Sequence, residues 1–436
     1  MFEALIEELG GVAPLMRTGR LVAADTGAIS VRGLEVAARL GDRIAVAAGH
    51  GWAEGEIVAL SESGARAMTY APTEGLALGA EVRLLPERPV RPGPGWAGHV
   101  IDAFGRPVAG GTLPPGPTPA RLRGAPPPAH ARRPLGRRLS TGLAAFDTLL
   151  PIARGQRIGI FAGSGVGKSS LLADLARGVE ADRVVLVLIG ERGREVGEFI
   201  HNTLGPEAMA RTVAVVATSD ESPLIKRRAA WMGMAVAEAF RDAGHHVLLL
   251  VDSLTRFAEA HREVALTAGE PPSLRAYPPS TAALIAGLAE RAGPGAGDQG
   301  DITAVFTVLV AGSDMEEPVA DITRGILDGH VILDRSIAER GRFPAIDLRR
   351  SVSRSLPGIA TDEENALIAA ARGHVAVYEE ALPMIQTGLY VAGSDPRIDR
   401  AIAVYPALDA LAAAKSASVA DSFAMLRAAL APAGSD

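Results

Sequence analysis

The 436-residue chain contains no cysteine. A disulfide framework, thiolate chemistry and any cysteine-ligated metal centre are therefore excluded. Aromatic residues are scarce, at 4% of the chain, and only Phe2, Trp52 and Tyr70 fall within the first 88 positions. An N-terminal domain that reads nucleic acid by stacking bases would carry more of them. No apolar run approaches the length of a membrane span. The N-terminus has no basic stretch followed by an apolar core and a small-residue cleavage site, which predicts no signal peptide. Positive charge is not in excess either: the formal net charge is −6, against bulk nucleic acid as the main partner. Together these absences predict a cytoplasmic protein without a transmembrane segment.

Apolar residues are plentiful, at 48%, and charged residues make up 22%. A sizeable core follows, and the length predicts two or three domains. Residues 1–10 read as a short amphipathic helix, with Phe2, Leu5, Ile6 and Leu9 on one face and Glu3, Glu7 and Glu8 elsewhere. Whether it docks on its own domain or tethers a partner stays open. Between residues 17 and 86, β-type runs at 20–23, 28–31, 43–46, 55–60, 67–70 and 81–84 alternate with Gly, Asp and Ser turns. Short, evenly spaced strands of this kind predict a small β-barrel. Residues 85–138 are rich in Pro, Gly and Arg, which marks a boundary or a long surface connection. Arginines 121, 123, 132, 133, 137 and 138 are expected to be solvated loop charges. Buried strand-like runs then alternate with helical ones, at 157–161, 184–189, 212–217, 247–251, 303–310 and 331–333, with a crossover helix over 223–242. That order predicts an α/β fold with a mostly parallel sheet. Beyond about 356 the pattern is helical and Ala-rich.

The chain is thus expected to be multidomain α/β: an N-terminal segment (1–16), a β-barrel (17–88), a nucleotide-binding domain (89–355, containing the connection 108–138) and a C-terminal helical domain (356–436).

The most specific chemistry lies at Ala162-Gly163-Ser164-Gly165-Val166-Gly167-Lys168-Ser169-Ser170. An apolar strand enters a glycine-rich loop, and a helix leaves it. This is the context in which backbone N–H groups and a helix N-terminus cradle phosphate. Lys168 is expected to reach the β and γ phosphates and Ser169 to ligate Mg²⁺. Ala162 stands where the motif usually begins with glycine; one added methyl is expected to leave the loop intact. Asp252 ends the apolar run 247–251 and suits the Mg²⁺ shell, directly or through water. Glu191 follows the strand 184–189, where ligands bind in open α/β sheets. Spacing alone leaves it open between a surface carboxylate and the group that activates the attacking water.

Over nearly its whole length the chain resembles the catalytic subunits of rotary-type ATPases, and within them the flagellar and injectisome type III export ATPases. The resemblance rests on Gly98-His99-Val100-Ile101-Asp102-Ala103-Phe104-Gly105-Arg106-Pro107, Ser140-Thr141-Gly142-Leu143, the phosphate loop, Gly190-Glu191-Arg192 and Val251-Asp252-Ser253-Leu254-Thr255-Arg256. It continues through Gly269-Glu270-Pro271-Pro272, Tyr277-Pro278-Pro279-Ser280, Pro344-Ala345-Ile346-Asp347-Leu348-Arg349-Arg350-Ser351-Val352-Ser353-Arg354 and, in the export branch, Gly393-Ser394-Asp395-Pro396.

The resemblance implies a RecA-like central domain that hydrolyses ATP with Mg²⁺. Glu191 would polarise water, with Arg192, Glu195 and Arg256 around the γ-phosphate and metal. Phe343 would stack on adenine, the alternative being a core residue in a turn. Arg354 would be an arginine finger reaching a neighbour's ATP. One chain type holding Lys168, Glu191 and Arg354 implies a homo-oligomer, by resemblance a hexamer. The implied partners are a peripheral regulator or stator, a coiled-coil central stalk, the membrane export gate, and export substrates or chaperones. The implied location is peripheral, at the inner face of the membrane. Two alternatives accompany the flagellar reading: an injectisome ATPase and, more remotely, a ring-shaped RNA translocase of the transcription-terminator class.

Overall fold

The computed structural model of the chain describes residues 16–49, 51–86, 89–310 and 315–431. The helix expected over residues 1–10 lies outside them.

Six antiparallel strands, β1 (Thr18–Asp25), β2 (Ala28–Arg32), β3 (Arg43–Ala48), β4 (Gly51–Ser61), β5 (Gly64–Thr69) and β6 (Glu81–Leu84), close into a barrel in the order β1-β2-β5-β4-β3-β6. β6 pairs back onto β1, with Val82 opposite Gly19, so no edge is left to pair elsewhere. Alternation sends Leu21, Ile29, Val31, Ile44, Val46, Ile57 and Val82 into its core.

The second sheet has nine strands. Its path runs β15 (Ile346–Ser353), β14 (Gly329–Leu333), β8 (Arg157–Ala162), β13 (Asp301–Leu309), β11 (Val247–Asp252), β9 (Arg183–Glu191), β10 (Thr212–Thr218), β7 (Val100–Ile101), and β12 (Gly293–Pro294) pairs with β13. All neighbours are parallel except β15 on β14 and β12 on β13. The parallel strands are apolar on both faces because both are covered. Helix α1 (Lys168–Gly178) covers one face; Leu171 and Leu172 join Ile158, Ile160 and Leu186 there. Helix α2 (Gly193–Glu198) follows β9. On the other face, α3 (Pro223–Asp242), α4 (Leu254–Thr267), α5 (Ser280–Ala289) and α6 (Pro318–Ile326) pack with Val185, Val187 and Phe306. Gly233 of α3 lies so close to β9 that an added Cβ would sit 2.2 Å from Cγ2 of Val187.

Helices α7 (Asp362–Gln386), α8 (Pro396–Ala413) and α9 (Val419–Leu430) form the C-terminal part, with Tyr378 stacked on Tyr405 at 3.7 Å. A fully buried carboxylate ties α9 to the segment that precedes β8. Asp147 accepts from the Thr141 N–H (2.9 Å), the Thr141 hydroxyl (2.8 Å) and the Ser422 hydroxyl of α9 (2.9 Å).

Two features depart from the sequence reading. β15 is an edge strand whose apolar positions are interrupted by Asp347, Arg349 and Arg350, so no period-two run announces it. The arginines of the Pro-rich connection are not all solvated charges: Arg121 and Arg137 are exposed as expected, but the others are engaged with the domain. Arg133 bonds the Asp301 carboxylate at 2.6 Å, Arg138 is buried against Glu364 at 3.1 Å, and Arg123 lies 4.4 Å from the Trp231 ring centroid. Arg132 is bound to main-chain carbonyls at the end of α5, among them that of Ala292 at 3.3 Å. A segment lacking regular hydrogen bonding is held onto the domain by these side chains instead.

Candidate functional site

The site forms where β8, β9, β11 and β13 end, the edge at which ligands bind in open α/β sheets. β8 ends at Ala162, whose methyl is buried in the core. Val166 also points into that core, at 2% exposed, and so anchors the loop from below. Gly167 adopts φ 86°, ψ 18°, a left-handed conformation suited to glycine, and α1 begins at the next residue. A Cβ on Gly167 would stand 2.9 Å from Cδ1 of Phe343, so the half-exposed Phe343 ring rests on the shoulder of the phosphate loop.

A cleft of about 950 Å³ opens over this loop. Gly163, Ser164, Gly165, Gly167, Lys168, Ser169 and Ser170 form one wall; Glu191, Arg192, Glu195 and Arg256 form another. Below it, a recess of about 220 Å³ gathers Ser169, Glu191, Glu195 and Asp252.

Lys168 is the electrostatic centre. Its ammonium is paired with Oδ1 of Asp252 and stands 3.6 Å from Oε1 of Glu191. Burial pushes the Glu191 carboxyl above its ordinary range; Lys168 pulls it back, and Asp252 and Glu195 push it further up. Such a carboxylate is poised to hold a proton transiently. Arg192 is held by Glu195 at 3.0 Å, and Arg256 by Glu259 at 2.8 Å. The recess offers only oxygen donors. Among the described residues, no group of three His, Cys, Asp or Glu could hold a metal unaided. That combination fits Mg²⁺, which takes most of its ligands from water and phosphate.

Arg354 is not at this site. It follows β15, is exposed, and its N–H donates to the Asp328 carbonyl at 2.9 Å, while the Asp328 N–H donates to that of Arg157 at 2.8 Å. Arg354 is therefore level with the start of β8, whereas Lys168 lies beyond its end. About 17 Å of strand separates the two levels. The Arg354 side chain lines a separate groove with Arg324 and His330.

Sequence reasoning missed several cleft residues. Ser219, Thr255, Glu259, Arg262, Tyr277 and Glu317 complete the walls. Tyr277 carries the Arg262 guanidinium 5.0 Å from its ring centroid. Its loop is closed by Glu270, which accepts from the Ser280 N–H (2.8 Å) and hydroxyl (2.6 Å). The signal was in hand: two Pro-rich motifs, 269–272 and 277–280, whose ends pair.

The comparisons with known proteins agree with this geometry. Residues 142–353 match the nucleotide-binding domain of the ATP synthase alpha/beta family, and residues 360–428 match the C-terminal domain of the type III secretion ATPase EscN. A flagellum-specific ATP synthase of Caulobacter vibrioides is 46% identical over 97% of this chain and 98% of its own length. The chain belongs to the type III export ATPases of the ATP synthase alpha/beta family. It is an ATPase. The SPI-2 type 3 secretion system ATPase of Salmonella typhimurium is also 46% identical, over 80% of this chain and 81% of its own length. Among solved structures, the assembled ATPase EscN of enteropathogenic E. coli superposes with a TM-score of 0.88 at 35% identity, covering 95% of this chain and all of that one. EscN in complex with its central stalk EscO gives 0.84 at 36% identity, with the same coverage. The export ATPase thus has a barrel, a nucleotide-binding sheet and C-terminal helices in the same arrangement as EscN.

Proposed function

We propose that this export ATPase energises flagellar protein export as a closed ring, by resemblance a homohexamer, with each catalytic site completed by the adjacent subunit. The observation that carries the reading is the position of Arg354. Within one chain it sits at the opposite end of the sheet from Lys168 and Glu191, exposed, where only another molecule's nucleotide could meet it. A closed ring of identical chains gives every site such a neighbour.

In this account the glycine-rich loop 163–167 and the α1 N-terminus bind the phosphates, with Ser164 and Ser170 at its rim. Lys168 leaves Asp252 for the β and γ oxygens, and Phe343 supports the adenine. Glu191 orients the attacking water and accepts its proton. Arg192, Glu195 and Arg256 surround the γ-phosphate. Arg354 of the neighbouring subunit balances the charge that develops there, a contribution of about 10³–10⁵ in rate in other phosphoryl-transfer systems. Mg²⁺, held by Ser169 and Asp252 in part through water, would neutralise the phosphate oxygens.

The partners proposed for the ring are a coiled-coil stalk in its pore, a peripheral regulator, the membrane export gate and the cargo or its chaperones. The stalk rests on the EscN–EscO complex. No helix among the described residues is long and apolar enough to cross a membrane, so the proposed seat at the inner membrane face is peripheral. The SPI-2 relative favours an injectisome as the second reading. Chromosomal Glu191→Gln decides between them. Flagellin export and motility should fall while other secretion continues. Normal flagella would assign the chain to another secretion machine.

A further inference from the structure

Strand β13 reads Asp-Ile-Thr-Ala-Val-Phe-Thr-Val-Leu, and its three polar side chains each have a visible task. Asp301 binds Arg133 and Arg154, and the Thr303 hydroxyl accepts from the Gly155 N–H at 2.8 Å. Thr307 is fully buried, and its hydroxyl donates to Oδ1 of Asp252 at 2.8 Å. A buried position between two apolar strands would accept valine, which has the same shape and no polar group to desolvate. The hydroxyl therefore calls for an explanation beyond packing.

The two donors to Asp252 are not equivalent. Lys168 and Thr307 both meet Oδ1, and among the described residues no donor reaches Oδ2. Lys168 is a long side chain at the helix N-terminus facing the cleft, and on the reading above it moves to the phosphates when nucleotide arrives. Thr307 is fixed in the sheet, β13 lying beside β11 with Val251 opposite Phe306, so Thr307 and Asp252 follow in register. Once Lys168 has moved, Thr307 is the donor that remains.

We infer that Thr307 is a positioning residue for the metal-nucleotide complex: by holding Oδ1 it fixes the Asp252 carboxylate at the recess, with Oδ2 left to the metal, after Lys168 has transferred to phosphate. The inference rests on the proposed metal role of Asp252. The phosphates can still bind the loop without it; what depends on Thr307 is the gain in nucleotide affinity that Mg²⁺ confers.

The test is equilibrium binding of a fluorescent ADP analogue to the full chain, in Mg²⁺ and in EDTA, for wild type, Thr307→Val, Thr307→Ala, Thr307→Ser and Asp252→Asn. Thr307→Val should bind as wild type in EDTA but lose about tenfold of the Mg²⁺-dependent gain, the usual size of an outer-sphere effect on metal binding. Thr307→Ser keeps the hydroxyl and should recover most of it. Thr307→Ala carries the same expectation as Val should the latter fail to fold. A full Mg²⁺ response in folded Thr307→Val or Thr307→Ala overturns the inference if Asp252→Asn has lost that response. If Asp252→Asn also responds fully, the metal role of Asp252 itself falls, and the inference with it.

Discussion

Glu191 and Lys168 show how little of a site's electrostatics one motif contains. The phosphate loop was legible because its chemistry is contiguous: strand, glycines, lysine, serine and helix occur in one stretch. Glu191 and Asp252 were legible as strand ends, but their pairing through one ammonium depends on β9 and β11 being neighbours in the sheet, which spacing does not encode. Thr307 was hidden inside an apolar run for the same reason. Replacing Glu191 by Gln keeps the shape and hydrogen bonding but cannot accept a proton. ATP binding, followed by a fluorescent analogue, should persist while turnover falls about 10²–10⁴-fold; undiminished phosphate release would remove Glu191 from the chemistry.

Two buried histidines set a stability response to acid. Desolvation, reinforced by Arg154 for His246 and Arg227 for His261, lowers both imidazoles to about 4. The unfolded chain takes up protons near the ordinary histidine value of about 6.5, while the folded chain does not. Stability is thus full above about 6.5 and is lost as pH falls from there toward 4. The urea midpoint should drop between pH 7.5 and 5.0, and the drop should shrink in His261→Gln. An unchanged difference in that variant would mean that His261 is not the titrating group.

At the scale of elements, periodicity worked where a segment is buried on both faces or alternates cleanly. The barrel strands, the central parallel strands and α3 fall in these classes. It failed at β15, which is exposed on an edge and carries the charged residues of a motif. The connection 108–138 is largely irregular, as its composition predicts, but side chains such as Arg133 and Arg138 hold it to the domain rather than lying free in solvent. The close approach of α3 to β9 allows a sharp test. Gly233→Ala places a methyl against buried Val187 and should destabilise by about 1–3 kcal/mol through overpacking. Chemical denaturation monitored by far-UV circular dichroism measures it; a change within error would show that α3 can lift from the sheet without cost.

At the scale of the whole molecule, the sheet holds the two parts of the proposed shared site on opposite edges. Its upper edge presents Lys168, Glu191 and Asp252; its lower edge presents Arg354. The family resemblance supplied the idea of a finger acting between subunits, and the antiparallel return of β15 along β14 supplies a reason within the fold. β14 runs toward the site edge and β15 returns along it, so β15 ends, and Arg354 follows, at the far edge. The same arrangement implies that specific activity rises with protein concentration as subunits assemble.

The most direct test mixes two inactive proteins. Glu191→Gln retains Arg354 but lacks the group proposed to activate water; Arg354→Ala retains Glu191 but lacks the proposed finger. Neither should turn over ATP alone. Combined under conditions of assembly, they should regain activity, peaking near equal proportions, because mixed interfaces pair an intact Glu191 with a neighbour's intact Arg354. Absence of recovery at every ratio, with mixed assemblies verified by mass, would contradict a site shared between subunits.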